Sequence, residues 1–222
     1  MLSKIVTKEE ALQHVIGGIR LMCGGFDGMG CPTELIEAIL QKGVRNLTLI
    51  SMDAGSPERG IGSLIAHERV KRLLTSQIDS NPEAGRQMMA GKLEVIFYSQ
   101  GILAEKIRMG GAGLPGFLVR QELWSGTGQE QQTIEYDGES YVIEPCLTAD
   151  VGIVAAKWAD PYGNLVYEKS TRNLNPLVAM ASDLTIALVD QIVPLGELDP
   201  ETIVTPGVFV NYIVKADGGY GA

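Results

Sequence analysis

The chain has 222 residues, of which 45% are hydrophobic, and a formal net charge of -9 from 18 basic and 27 acidic residues. This acidic balance argues against nucleic acid as a partner, since phosphate backbones bind basic surfaces. No apolar run has the length of a membrane span and no N-terminal signal pattern is present, so we expect a cytoplasmic protein without a membrane partner. Length and composition, including 27 glycines, indicate a single α/β domain over residues 1–222.

The first half of the chain alternates predicted helices and strands. Thr7 and Glu10 form a capping-box pattern, which predicts a helix that continues to Gly17. The periodicity then predicts a strand at 19–22, a helix at 33–42, strands at 47–51 and 71–76, a helix at 82–89, a strand at 93–98 and a helix at 102–109. This alternation is typical of a largely parallel sheet.

The second half of the chain predicts further strands. Asp137-Gly138, between apolar runs at 134–136 and 141–143, is a strong hairpin signal. Residues 120–132 are polar and are not assigned to an element. The remaining predicted strands cover 151–156, 184–189 and 208–214. We therefore predict an α/β fold with an open, largely parallel sheet covered by helices on both faces, with added antiparallel hairpins.

Side chains that bind metals or form disulfides are few. Cys23, Cys31 and Cys146 have no metal-like spacing, and the two histidines, His14 and His67, do not cluster with them. We expect reduced thiols and no metal site.

The helix predicted at 102–109 carries three charged residues in sequence proximity. We expect Glu105 to pair with Lys106 or Arg108 on a solvated face. This arrangement indicates an ordinary exposed helix surface rather than a catalytic carboxylate.

A glycine-rich loop at 24–32, with the sequence GGFDGMGCP, lies between the first predicted strand and the helix at 33–42. A strand, a glycine-rich turn and a helix bring backbone N–H groups close to a ligand. No Gly-Lys-Ser/Thr follows the loop, which excludes a nucleotide-hydrolysing P-loop. The alternative is that these glycines only make a tight turn.

A second glycine-rich loop is predicted at 110–116, with the sequence GGAGLPG. Its spacing matches the dinucleotide fingerprint, and Glu135 follows at the distance that the fingerprint requires. However, the motif follows a helix instead of a strand, and Pro115 lies inside it. Dinucleotide binding is therefore disfavoured.

Seven sequence blocks occur in order along nearly the whole chain. The first is Gly24-Gly25-Phe26-x-x-x-Gly30-x-Pro32. The others are 99–108 (SQGILAEKIR), 110–115 (GGAGLP), 149–151 (ADV), 163–167 (GNLVY), 172–176 (RNLNP) and 205–208 (TPGV). Together they resemble the alpha (A) subunits of the two-subunit coenzyme A transferases that act on 3-oxo and short-chain acids.

The resemblance implies a ping-pong transfer of coenzyme A between two carboxylic acids, through a glutamyl-CoA thioester. In the family, the glutamate lies on the beta subunit in a Ser-Glu-Asn-Gly motif, which this sequence lacks. The implied partner is therefore a beta subunit, in an α2β2 assembly. The implied substrates are acyl-CoA and acids such as acetate, acetoacetate or butyrate, with no permanently bound cofactor. This chain would supply no catalytic nucleophile and would be inactive alone.

The resemblance also implies which residues contact the substrate. The expected coenzyme A-binding residues are Gly24, Gly25, Phe26, Asp27, Gly28, Met29 and Gly30. A possible second wall of the site consists of Gln100, Gly111, Ala112 and Gly113. Backbone N–H groups of the first loop could hold a tetrahedral oxyanion, the pantetheine amides or a phosphate.

Two other functions remain open at this point. One is a stand-alone ligand-binding or regulatory protein of the same fold. The other is a sugar-phosphate isomerase, which needs an internal acid/base pair at a phosphate-lined site. The scarcity of histidines and the negative charge disfavour the isomerase. Asp27 also needs an explanation, since a carboxylate beside an anionic ligand is unfavourable unless it points away.

Overall fold

A computed structural model describes residues 3–124 and 132–218. The helices are α1 (Lys8–Leu12), α2 (Thr33–Lys42), α3 (Ile61–Ala66), α4 (Pro82–Met89), α5 (Gln100–Gly111) and α6 (Asn175–Met180). The strands are β1 (Arg20–Cys23), β2 (Leu47–Ile50), β3 (Val70–Thr75), β4 (Glu94–Phe97), β5 (Gly116–Arg120), β6 (Thr133–Tyr136), β7 (Glu139–Pro145), β8 (Ala149–Ala159), β9 (Leu165–Val166), β10 (Ser182–Ile192) and β11 (Tyr212–Lys215). None of these helices is long and apolar enough to cross a bilayer.

The main sheet has the strand order β11-β10-β8-β1-β2-β3-β4, and neighbouring strands along this path are parallel. Strand β9 pairs antiparallel with β8. Strands β5, β7 and β6 form a separate antiparallel sheet. The predicted fold class, a largely parallel sheet with added antiparallel strands, is confirmed.

Helices cover both faces of the main sheet. Helices α1 to α4 bury their apolar side chains against one face, together with Leu21 of β1. Helices α5 and α6 pack on the other face, together with Met22. Successive strand residues point to opposite faces, so the sheet divides the core into two apolar layers.

Local sequence signals fix several boundaries. The Thr7 capping box is present, but α1 ends at Leu12 and does not continue to Gly17. Helix α2 has the predicted bounds and ends at Gly43, whose φ of 77° is in the left-handed region. Helices α3 and α6 were not predicted, because six residues give too little periodicity to detect.

The predicted loop at 110–116 begins later than expected, because Gly110 and Gly111 form the last turn of α5. A Cβ on Gly110 would lie 2.1 Å from the carbonyl oxygen of Leu147, and a Cβ on Gly111 would lie 2.7 Å from Cβ of Met180. Gly110 and Gly111 therefore allow α5 to pack closely against its neighbours. The helix is ended by Gly113, whose φ of 72° is in the left-handed region and whose N–H donates to the Gly110 carbonyl at 3.0 Å.

The predicted strand at 208–214 also starts too early, since residues 207–209 form a short 3-10 turn and β11 begins at Tyr212. Strands β8 and β10 are 11 residues each and longer than predicted. β1 pairs only with residues 151–153 of β8, so the rest of β8 extends beyond β1. Residues 125–131, within the unassigned polar segment, lie outside the described residues.

Candidate active site

The glycine loop, residues 24–30, follows β1 at the carboxyl edge of the main sheet. In open α/β sheets, ligands bind at this edge. The loops that follow β2 and β3 lie at the same edge, and together the three loops surround a cavity of 340 Å³. The residues that line this cavity include Gly24, Gly25, Phe26, Asp27, Gly28, Asp53 and Arg59.

Five of the seven predicted contact residues, those at 24–28, line this cavity, whereas Met29 and Gly30 do not. Met29 is half exposed at the protein surface, and Gly30 is buried against residue 171. The structure thus brings the first part of the predicted loop to the cavity and turns its end away.

Asp53, in the loop after β2, holds the tip of the glycine loop. Its carboxylate is 5% exposed and accepts the Asp27 N–H and the Gly55 N–H, each at 2.8 Å. Asp27 has a φ of 51°, which is uncommon for a residue other than glycine. The buried carboxylate therefore stabilises a strained backbone at the point where the loop reverses.

Two asparagines hold the ends of the loop. Asn173 accepts from the Gly25 N–H at 3.2 Å and donates to the Met29 carbonyl at 2.8 Å. Asn175, which is fully buried, donates to the Gly30 carbonyl at 3.0 Å and accepts from a backbone N–H of β8 at 3.0 Å. Sequence reasoning placed both residues in the RNLNP block but gave them no structural role.

This packing explains why the ends of the loop are glycine. A Cβ on Gly24 would lie 1.9 Å from Oδ1 of Asn175, and a Cβ on Gly30 would lie 2.5 Å from the carbonyl oxygen of Thr171. A Cβ on Gly28 would meet only the Arg59 guanidinium, at 3.8 Å. The loop is therefore closed by protein at both ends and open at Gly28.

Most of the backbone N–H groups of the loop already have acceptors within the protein. Donors with such acceptors are Gly24, Gly25, Phe26, Asp27 and Met29. Within the described part of the chain, no acceptor is found for the N–H groups of Gly28 and Gly30. Because Gly30 is buried and does not line the cavity, Gly28 carries the N–H group best placed for a ligand.

We expect Gly28→Ala to lower coenzyme A transfer, the activity that the sequence resemblance implies, by about 10-fold or more, because a methyl group would shield an N–H group that we expect to donate to an oxyanion. Gly43→Ala is the matched control. Gly43 has nearly the same φ, 77° against 78°. A Cβ would have no neighbour within 4 Å at Gly43 and would meet only Arg59 Nη2, at an ordinary contact distance of 3.8 Å, at Gly28. Both variants should lose about 1 kcal/mol of folding stability through backbone strain. Equal transfer rates in the two variants would show that Gly28 only makes a turn.

The four residues predicted to form a second wall of the site lie at opposite ends of α5. Gln100 is exposed at the start of α5, just after β4, and so lies at the carboxyl edge. Gly111, Ala112 and Gly113 lie at the opposite end of this 12-residue helix, about 18 Å away. None of the four lines the cavity beside the glycine loop.

Cys31 also lines the cavity, and its backbone lies against the loop: a Cβ on Gly25 would be 2.9 Å from Cα of Cys31. The Cys23 thiol, as a hydrogen-bond donor, lowers the pKa of Cys31, whereas burial raises the pKa of Cys23. The two thiols are packed at the end of β1 and the start of α2, where they support the loop.

The charged residues of α5 do not share one solvated face as expected. Glu105 pairs with Arg108 at 2.6 Å near the surface, which is one of the two predicted pairings. Lys106, in contrast, is 1% exposed and contacts Glu144 of β7 at 2.5 Å. The prediction of a solvated Lys106 is wrong, because the small antiparallel sheet covers that side of the helix.

Comparison with known proteins identifies the family. The model of the coenzyme A transferase family matches residues 5–216. The chain belongs to this family. It is 50% identical over 216 residues to the probable coenzyme A transferase subunit alpha of Bacillus subtilis (strain 168), covering 97% of this chain and 94% of that protein. It is 42% identical over 214 residues to the acetate CoA-transferase subunit alpha of Escherichia coli (strain K12), covering 96% and 97%.

A solved coenzyme A transferase also shares the fold. The acyl-CoA transferase apoenzyme from Escherichia coli O157:H7 has a TM-score of 0.86 and 22% identity, covering 99% of this chain and 48% of that chain. The chain therefore spans about half the length of that solved relative. Family membership confirms the resemblance and does not support a stand-alone regulatory protein or a sugar-phosphate isomerase.

Proposed function

We propose that this chain is the alpha subunit of a coenzyme A transferase that moves coenzyme A between a short-chain acyl-CoA or 3-oxoacyl-CoA and a carboxylic acid. The main support is the glycine loop, fixed at both ends by asparagines and open at Gly28 onto a cavity at the carboxyl edge. The relatives named as alpha subunits match nearly their whole length. We further propose that residues 1–222 act as one domain in an α2β2 complex with a beta subunit, without a permanently bound cofactor.

In this proposal, each subunit has a separate chemical role. The beta subunit supplies the glutamate that attacks the thioester carbonyl and expels coenzyme A as the thiolate, which leaves a mixed anhydride. The thiolate then attacks the glutamyl carbonyl of this anhydride, which forms the glutamyl-CoA thioester and releases the acid. The alpha subunit supplies the Gly28 N–H as a donor to the oxyanion that forms at the carbonyl. Phe26 supplies an apolar wall that keeps water from the thioester. Residues 24–30 are thus one half of a shared site.

The test is to co-express the chain with the beta subunit of its own genome and to measure coenzyme A exchange between acetoacetyl-CoA and a panel of short acids. We expect exchange by the complex and none by either chain alone. After incubation with acyl-CoA and no acceptor acid, mass spectrometry of the separated chains should find the covalent coenzyme A adduct on the beta subunit.

Two results would contradict the proposal. A well-assembled complex without exchange for any acid pair would exclude transferase activity. An adduct on the alpha chain would place the nucleophile on the wrong subunit, whatever the rate. Replacing the glutamate of the beta subunit's Ser-Glu-Asn-Gly motif with glutamine provides the control, since it should remove both the exchange and the adduct.

A further inference from the structure

Arg59 supplies the positive charge among the described residues that line the glycine-loop cavity. It lies between β2 and α3, where its N–H donates to the Ser56 carbonyl at 3.3 Å. Its Nη2 atom is 3.8 Å from the position that a Cβ on Gly28 would take. Within the described part of the chain, no carboxylate forms an ion pair with Arg59. The guanidinium therefore stands over the open tip of the loop.

Four carboxylates line the same cavity, but two of them are already neutralised or fully hydrogen-bonded. Both oxygens of Asp53 accept backbone N–H groups, and Glu34 pairs with Lys8 at 2.9 Å. Asp27 and Glu37 remain without an ion pair among the described residues. Such a cavity repels a polyanion such as the phosphates of coenzyme A, but it can bind one small anionic group at Arg59.

We propose that Arg59 is a specificity-determining residue that binds a second, non-reacting carboxylate of the acid or of its acyl group. The favoured substrate is then a short dicarboxylate. The planar guanidinium binds this carboxylate with two parallel hydrogen bonds, and the Gly28 N–H nearby stays available to the reacting carbonyl. This inference rests on the proposed function, because it places the acyl group of the transferase reaction in this cavity.

The chemistry of transfer favours a non-reacting carboxylate at this position. The reacting carboxylate must use an oxygen lone pair to attack a thioester carbonyl. A guanidinium clamped onto those oxygens would stabilise the ground state and slow the attack. A second carboxylate keeps its charge throughout the reaction, so Arg59 binds it equally in the ground and transition states. Its contribution should therefore appear mainly in KM.

The experiment compares succinate with acetate, and glutarate with butyrate, as acceptor acids for the co-expressed alpha–beta complex. In the unaltered complex we expect kcat/KM to be higher for each dicarboxylate than for its monocarboxylate. In Arg59→Gln the dicarboxylate-to-monocarboxylate ratio should fall by about 10- to 100-fold, the usual effect of losing a hydrogen bond to a charged group. Most of that fall should come from the KM for the dicarboxylate. Arg59→Lys should give an intermediate ratio, because lysine keeps the charge and loses the paired geometry.

Arg45→Gln is the matched control, since Arg45 is exposed between α2 and β2, at the opposite edge of the sheet. Arg45→Gln removes the same charge as Arg59→Gln and should leave the dicarboxylate-to-monocarboxylate ratio of kcat/KM unchanged. As a second measurement, succinate should raise the thermal unfolding temperature of the unaltered complex and of Arg45→Gln, but not that of Arg59→Gln.

Each outcome distinguishes this inference from the proposed function. A complex that transfers coenzyme A but prefers monocarboxylates would overturn the inference and leave the proposed function intact. An unchanged ratio in Arg59→Gln together with a higher KM for acyl-CoA would show that Arg59 binds a coenzyme A phosphate, and would also overturn the inference. A complex without any exchange would overturn the proposed function itself, and an absent succinate effect on unfolding would then reject the anion site as well.

Discussion

Replacing Asn175 with alanine is expected to lower kcat/KM for coenzyme A transfer by about 100-fold, because displacing a positioning element by about 1 Å has effects of this size. The Asn175 amide connects the Gly30 carbonyl to a backbone N–H of β8. Without it, Gly24 and Gly30 lose the side chain against which both are packed. The loop would then no longer hold Gly28 at a fixed place over the cavity.

The same replacement should destabilise the protein, since each buried backbone group left unpaired costs about 1–3 kcal/mol. Gln87→Ala is the matched control. Gln87 is also a buried amide and donates to the Ile65 carbonyl at 2.7 Å, but it connects α4 to α3 and does not contact the loop. Both variants should unfold at lower temperature, and only Asn175→Ala should lose transfer in the folded complex. If both variants lost transfer in proportion to their loss of folding stability, Asn175 would only stabilise the fold.

Lys106→Met should reduce the stability of the chain by about 3–5 kcal/mol, since removing one partner of a buried ion pair leaves an uncompensated charge. Glu144 would keep its hydrogen bond from Trp124 Nε1 but lose the ammonium group. The ammonium also lies 4.8 Å from the centre of the Tyr98 ring, and that cation–π contact would be lost. Thermal and denaturant unfolding measure the effect.

A neighbouring pair on the same helix provides the comparison. Arg108→Met removes the surface pair with Glu105 and should cost less than about 1 kcal/mol. The double variant Lys106→Met, Glu144→Gln should recover much of the loss, because the uncompensated charge is gone. If Lys106→Met were as mild as Arg108→Met, the ion pair would not hold the small sheet against α5.

The sequence predicts those parts of the fold that depend on local rules. The capping box at Thr7, the helix between the glycine loop and Gly43, and the hairpin at Asp137-Gly138 all follow from backbone preferences within a few residues. The long buried strands were found as well, because both faces of a parallel sheet are apolar.

Contacts between distant parts of the chain explain the features that the sequence does not show. The charge pattern of α5 is typical of a solvated helix, and only the small sheet, 38 residues further along, makes Lys106 a buried residue. Residues 110 and 111 are glycine inside a helix because Leu147 and Met180 lie too close to leave room for a Cβ. The role that we propose for Arg59 depends on three loops that meet at one sheet edge, which periodicity cannot reveal.

The hydrogen bonds of Asn173 and Asn175 to the glycine loop have a consequence for how the chain folds during synthesis. Both asparagines lie about three quarters of the way along the chain, 144–148 residues after the glycine-loop groups that they hold. Strand β8, the neighbour of β1 in the sheet, also leaves the ribosome long after β1. During synthesis, β1 to β4 can assemble early, but the glycine loop cannot take its final shape until the segment around Asn175 has emerged. The chain can therefore bind a ligand at the glycine loop only after most of it has been synthesised.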